Sequence, residues 1–255
     1  MMKNPFIITD IDGCLTAGRG KLINEDVFTR IRQIGKKLKD SPYNPWICLI
    51  TARPQPYLEA ILQLIGNDTI GVFEWGSGIF WPEKYKNTFH PLIGNNTLKM
   101  VRNYKIKLEQ FLQEQNYGFI QAGKEVAITI YPFKDQISLD DLHERILDWL
   151  NVNKEFSDKM DMHRTNTFVN LLPKDVNKKT GLRWMLKELK IDASNCFGIG
   201  DGIDDLQFLV ECHRSAAPAN AAEEVKKEVD YVSSDNYGEG WLDCVDHILK
   251  DSNGK

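Results

Sequence analysis

The chain has 255 residues, of which 42% are hydrophobic and 27% charged, with a formal net charge of −4. This composition suits a globular protein with room for one large domain or two small ones, and it argues against a disordered or fibrous chain. Lys and Arg are scattered among Asp and Glu, which speaks against nucleic acid as a partner. The five cysteines are odd in number and show no Cys-x-x-Cys spacing, so neither a disulfide framework nor a structural zinc site is expected. A reducing cytoplasm is the expected setting. The first residues carry no basic leader or long apolar segment, so no membrane association is expected.

Residues 6–9 form an apolar run that ends abruptly in Asp10, Asp12 and Gly13. In an extended backbone residues two apart point the same way, so both carboxylates can address one small volume beyond a buried strand. Two acids that close need a cation between them, or one must keep a proton. Gly13 gives the backbone freedom to turn out of the sheet.

Val27, Ile31, Ile34 and Leu38 then recur at helical spacing, and residues 46–50 form a second apolar run. Runs without alternation are expected of parallel strands covered on both faces. Thr51, Ala52 and Arg53 follow, with Pro54 suited to a first helical position. Free amides there, with the Thr51 hydroxyl, would make an anion seat. Residues 71–80 read as a strand and a glycine-rich turn leading out of the sheet.

From 83 to 172 the pattern changes to helix (98–115), strands (117–121 and 125–131), helix (139–150) and strands (159–163 and 167–172). This predicts an inserted cap, an α+β unit with a sheet covered on one face by two helices. The segments 1–82 and 173–255 are expected to form the core. After residue 173 the βαβ rhythm returns, with a helix beginning at Lys178 and a buried strand (196–200) ending in Asp201, Asp204 and Asp205. The expected fold is α/β: a doubly wound, Rossmann-like parallel sheet with the inserted unit.

In such a sheet the site lies beyond the carboxyl ends of the strands. Those ends carry Asp10, Asp12, Thr51, Arg53, Asp201 and Asp205, with Lys178 on an intervening helix. Clustered carboxylates call for a hard cation, and Mg²⁺ with a substrate phosphate fits. Lys178 and the Thr51 turn would supply donors for a phosphoryl group. Gly76-Ser77-Gly78 lacks the Gly-x-Ser-x-Gly elbow of serine hydrolases. Cys48 stands one residue too close to Arg53 for a Cys-x5-Arg phosphatase loop, so Cys14 and Cys48 read as packed thiols.

Asp-Ile-Asp-Gly-Cys-Leu-Thr at 10–16, Leu-Ile-Thr-Ala-Arg at 49–53, Val-Asn-Lys-Lys-Thr-Gly-Leu at 176–182 and Gly-Asp-Gly-Ile-Asp-Asp-Leu at 200–206 resemble the four motifs of the haloacid dehalogenase-like superfamily. The tail from Ala217 to Gly240 is similar to that of its Cof-like IIB branch, whose cap lies between the second and third motifs. The resemblance implies a Mg²⁺-dependent phosphatase acting on a small phosphomonoester, a sugar phosphate or related hydroxy-acid phosphate, through an aspartyl phosphate. Asp10 would be the nucleophile and Asp12 the general acid and base. Thr51 and Lys178 would bind the phosphoryl group, and Asp10, Asp12 (through its main-chain carbonyl), Asp201 and Asp205 the metal. Gly13, Ala52, Arg53 and, from the cap, His163 and Arg164 complete the expected substrate contacts. A phosphomannomutase-type mutase and a non-catalytic metabolite-binding protein are the alternatives, and a monomer or homodimer is expected. The chain departs from the usual motifs at Cys14 (usually Thr), Ala52 (usually Gly), Lys179 (usually Gly) and Asp204 (commonly Asn).

Overall fold

The computed structural model describes residues 6–18, 20–38, 46–66 and 69–253. It divides into two compact units, one of Met1–Thr88 with Lys178–Lys255 and one of Phe89–Asn177.

In the first unit, β1 (Phe6–Thr9), β2 (Ile47–Ile50) and β3 (Ile70–Phe73) are buried along their whole length, as continuous apolar runs require. Helices α1 (Glu25–Lys37) and α2 (Gln55–Ile65) connect them. Asn24 caps α1 by accepting from the Asp26 N–H. Pro54 stands at the cap position of α2 with extended backbone (ψ 159°), one residue before the position expected for it. A 3₁₀ turn at Glu74–Gly76 leads into β4 (Gly78–Trp81) and β5 (Lys86–Phe89), so the segment after β3 extends the sheet instead of leaving it. Strand β4 runs antiparallel to β3. Glu74 and Trp75 take positive φ (47° and 56°), and that local reversal makes the hairpin.

The second unit comprises α3 (Asn95–Gln115), β6 (Gly118–Ile120), β7 (Ile128–Pro132), α4 (Leu139–Val152), the single turn α5 (Lys154–Ser157), β8 (Met160–Arg164) and β9 (Val169–Pro173). Its antiparallel sheet has the order β6-β7-β9-β8. Ile128, Ile130, Val169 and Leu171 pack on one face with Leu108 and Leu112 of α3 and Leu142 and Ile146 of α4. Ser138 starts α4 by accepting from the Asp141 N–H. Residues 125–127 remain outside β7, and the boundaries of the unit fall a few residues beyond 83 and 172. At its far end Val176 packs against Ile93 and Val126.

The first unit resumes with α6 (Lys178–Leu189), β10 (Cys196–Ile199), α7 (Leu206–Leu209), β11 (Arg214–Ala217), α8 (Glu223–Glu228), β12 (Tyr231–Val232) and α9 (Tyr237–Asn253). The sheet order is β12-β11-β10-β1-β2-β3-β4-β5, with β1 to β3 and β10 to β12 all parallel. The chain first winds from β1 towards β3, then returns to the other side of β1 at β10. That reversal of direction opens a crevice beyond the carboxyl end of β1. No helix among the described residues is long and apolar enough to cross a membrane.

Candidate active site

Asp10 follows the last residue of β1. Its backbone is held by Ile199 of β10 (N–H to carbonyl, 3.2 Å), and its carbonyl accepts from the Thr9 hydroxyl at 2.9 Å. The Trp241 indole N–H in turn donates to Thr9 at 3.0 Å. Thr9 and Trp241 were not expected at the site; Thr9 reads in the sequence as one more strand residue.

The Lys178 ammonium donates to Asp10 Oδ2 at 2.9 Å and to Asp205 Oδ1 at 2.5 Å, all three side chains being buried. Lys178 opens α6, whose Gly181 lies so near the 74–76 turn that an added Cβ would sit 2.4 Å from Gly76 Cα. That close approach carries the lysine to the end of β1. Lys179 pairs with Glu211 instead, at 2.9 Å. Asp205 Oδ2 accepts from the backbone N–H groups of Asp201 and Gly202, both at 2.9 Å. Asp205 thus ties the turn after β10 to the lysine.

Carboxylate oxygens of Asp10, Asp201 and Asp205 lie within 4.8 Å of one another. Burial pushes the Asp10 carboxyl up to about 7 against the lowering pull of Lys178, and Asp205 adds to the rise. Burial, then the charges of Asp205 and Asp10, push Asp201 up to about 8. Burial would lower Lys178, yet its two carboxylate partners hold it above the usual ammonium range. One ammonium for three close acids leaves the cluster short of positive charge, which a divalent cation with oxygen preference would supply. Gly13 (φ +87°) makes room: an added Cβ would lie 2.0 Å from Asp201 Oδ2. The Asn220 amide donates to the Gly13 carbonyl at 2.9 Å and accepts from the Tyr237 N–H at 2.6 Å. Asn220 lies in the tail just past β11, at the same sheet edge, and no local pattern in the sequence singles it out.

Asp12 takes a different partner. Arg53 Nε and one terminal nitrogen donate to its two oxygens at 2.5 and 3.0 Å, and the guanidinium lies 4.6 Å from the Tyr57 ring centre. Arg53, expected as a substrate contact, is therefore turned onto Asp12. Thr51 is fully buried, and its Oγ1 accepts from the Arg53 N–H at 3.1 Å. The Ala52 side chain adds no polar group. Cys14 and Cys48 are buried, with Cys14 Sγ 3.7 Å from Asp201 Oδ1 and Cys48 against Met185. Burial pushes both thiols up.

His163 and Arg164 belong to β8 of the second unit and are exposed. Their side chains leave opposite faces of the strand. Arg164 forms an ion pair with Asp140 in the first turn of α4, so the helix-covered side holds it. His163 lies on the face away from the helices, opposite Asn170 in the register.

A profile of the haloacid dehalogenase-like hydrolases matches residues 102–244, more than half of the chain. A relative named phosphoglycolate phosphatase, from Methanobrevibacter smithii, is 28% identical over 97% of this chain and 100% of its own length. Another of that name, from Nitrosopumilus maritimus, is 24% identical over 97% of each chain. Among solved structures, a Thermoplasma acidophilum protein superposes with a TM-score of 0.70 at 20% identity, over 98% of both chains. The sucrose-phosphatase from Synechocystis, solved with sucrose and phosphate, gives a TM-score of 0.61 at 17% identity, covering 97% of this chain and 98% of its own.

Proposed function

The chain belongs to the haloacid dehalogenase-like hydrolases, and from that premise we propose a Mg²⁺-dependent phosphatase that hydrolyses a small phosphomonoester through an aspartyl phosphate. The observation that carries the reading is the buried junction of Asp10, Lys178 and Asp205 beside Asp201 at the switch point of the sheet. Asp10 and Asp201 would hold the ion, with the Asp12 carbonyl. Asp205 has both oxygens engaged by Lys178 and backbone N–H groups, and fits a supporting position behind them. The ion, when bound, would neutralise charge on the phosphoryl group and on the acids around it.

Asp10 attacks phosphorus as the leaving oxygen departs, giving an acyl phosphate that water then hydrolyses. Lys178 and Thr51 face the transferring phosphoryl, and Lys178 also keeps Asp10 oriented for attack. Asp12 donates a proton to the leaving oxygen and later takes one from the attacking water. The Arg53 bond to whichever Asp12 oxygen carries the proton weakens, because a protonated oxygen is the poorer acceptor. Arg53 thereby orients Asp12.

The relatives' names support a hydroxy-acid phosphate such as 2-phosphoglycolate as the first substrate to try. Phosphate release from a panel of sugar and hydroxy-acid phosphates, with and without Mg²⁺, tests the reading. Metal-dependent release is the expected result. Transfer of phosphate to a sugar hydroxyl would make the protein a mutase, and no turnover of any phosphomonoester would overturn the assignment.

A further inference from the structure

Thr9 and Trp241 are fully buried in the first unit, and their polar groups meet at the end of β1. A hydroxyl closing the apolar run 6–9 must find partners there, since a buried polar group without them is costly. An indole N–H can only donate, so Thr9 Oγ1 accepts from Trp241 at 3.0 Å. The single hydroxyl proton is then left for the Asp10 carbonyl, 2.9 Å away. The direction of this chain of hydrogen bonds is thereby fixed, from α9 through Thr9 to the main chain of Asp10.

That carbonyl belongs to the peptide unit joining Asp10 to Ile11. A trans peptide is planar, with its C=O and N–H pointing to opposite sides, so a hydroxyl that holds the carbonyl also aims the Ile11 N–H. The Ile11 N–H donates to Asp10 Oδ1 at 2.7 Å. Lys178 holds the other oxygen, Oδ2, at 2.9 Å. The Asp10 carboxylate is thus set from two sides, by one side chain and one main-chain donor. Rotation of the peptide would remove the main-chain donor and would turn a carbonyl oxygen towards the site, where it would repel an incoming phosphoryl anion.

We propose that Thr9 and Trp241 are positioning residues for Asp10: the indole locks the hydroxyl, the hydroxyl locks the Asp10–Ile11 peptide, and the peptide N–H sets the carboxylate. The proposal rests on the phosphatase reading above and extends its machinery to α9, beyond the four motifs. Neither side chain reaches the transferring group, so both act on the placement of Asp10 in the transition state and move kcat more than KM. Misplacing a reacting group by up to about 1 Å costs roughly 10- to 100-fold in rate.

The test compares Thr9→Val, which keeps the branched shape and removes the hydroxyl, with Thr9→Ser, which keeps the hydroxyl, and Trp241→Phe, which removes the indole N–H. With p-nitrophenyl phosphate, kcat falls roughly 10- to 100-fold in Thr9→Val while KM stays within about threefold of wild type, and Thr9→Ser recovers kcat to within about threefold. Trp241→Phe lies between them, because Thr9 can still donate to the carbonyl but is no longer locked. Deuterium exchange of the Ile11 amide is about tenfold faster in Thr9→Val than in wild type or Thr9→Ser. In the wild-type full chain with ¹⁵N-labelled tryptophan, beryllofluoride with Mg²⁺, standing in for the phosphoryl group on Asp10, shifts the Trp241 indole signal whether or not any variant folds. A kcat within about twofold of wild type in folded Thr9→Val overturns the proposal. Equal losses in the valine and serine variants overturn it too, as does an indole signal indifferent to beryllofluoride in a chain that turns over substrate. If the wild type turns over no phosphomonoester, the phosphatase reading fails, and the exchange of the Ile11 amide still decides whether Thr9 holds the peptide.

Discussion

The two sheets of this chain place their chemistry differently. In the larger sheet β1, β2 and β10 are buried along their length, and the functional groups sit just past their ends: Asp10, Thr51 and Asp201. In the smaller sheet one face packs on the helices, and the other mixes polar residues with aromatic rings, so its distinctive residues lie along the strands at alternate positions, as Thr129, Asn170 and His163 do. A parallel sheet covered on both sides can offer a ligand only its ends, whereas an antiparallel sheet with helices on one face can carry polar groups along its strands. This predicts that substitutions at strand ends in the first unit abolish chemistry.

The largest effect should come from Asp10→Asn, which leaves size and burial nearly unchanged but removes the nucleophile. Turnover of p-nitrophenyl phosphate should fall on the order of 10⁴-fold or more. Retention of a tenth of wild-type activity would break the contrast at its strongest point. Next, Gly13→Ala puts a methyl where Asp201 Oδ2 stands, at a backbone φ of +87°. Displacing that acid should weaken Mg²⁺ binding roughly 10- to 100-fold, as loss of a supporting contact to a metal ligand does, measurable by calorimetric titration of the folded variant. Arg53→Met should lower kcat more than it raises KM, by roughly 10- to 100-fold, because it frees Asp12 without removing it. A change confined to KM would return Arg53 to the expected role of substrate contact.

Stability should also depend on pH through the same acids. Asp10 and Asp201 rise from an ordinary 3.8 to about 7 and about 8 in the folded chain. Between these limits the folded state holds protons that the unfolded state has released. The free energy of unfolding of the metal-free protein therefore decreases as pH rises from about 4 to about 8. Mg²⁺ competes with those protons, so it should raise the melting temperature more at pH 8 than at pH 5. Asp201→Asn should flatten both dependences, and an unchanged slope would contradict the clustered charges. The smallest effect belongs to the second unit: Asp140→Ala removes the exposed partner of Arg164 and should cost less than about 1 kcal/mol in thermal unfolding.

The same contrast explains what could be read from the sequence. Apolar runs broken by Asp-x-Asp or Gly-Asp-Gly are local signals, so the strands, their carboxylates and Lys178 are visible as letters. The Arg53–Asp12 pair spans 41 residues and the Trp241–Thr9 contact 232, and no local pattern announces either. The β4–β5 extension was hidden by Gly76 and Gly78, which resemble an exit turn although positive φ at Glu74 and Trp75 turns the chain back. In the second unit Thr129 and Asn170 follow ordinary strand alternation, and only the register shows that they are neighbours. His163 was visible as a polar residue near a turn, whereas the tie of Arg164 to Asp140 depends on how β8 lies against α4.

The most direct measurement is chemical trapping at the end of β1. Acid quenching during turnover of 2-phosphoglycolate, borohydride reduction of the acyl phosphate, and peptide mapping should find homoserine at position 10. Reduction at another carboxylate, or no trapped intermediate in an enzyme quenched during rapid turnover, would contradict the assignment of Asp10 as the group that receives phosphorus.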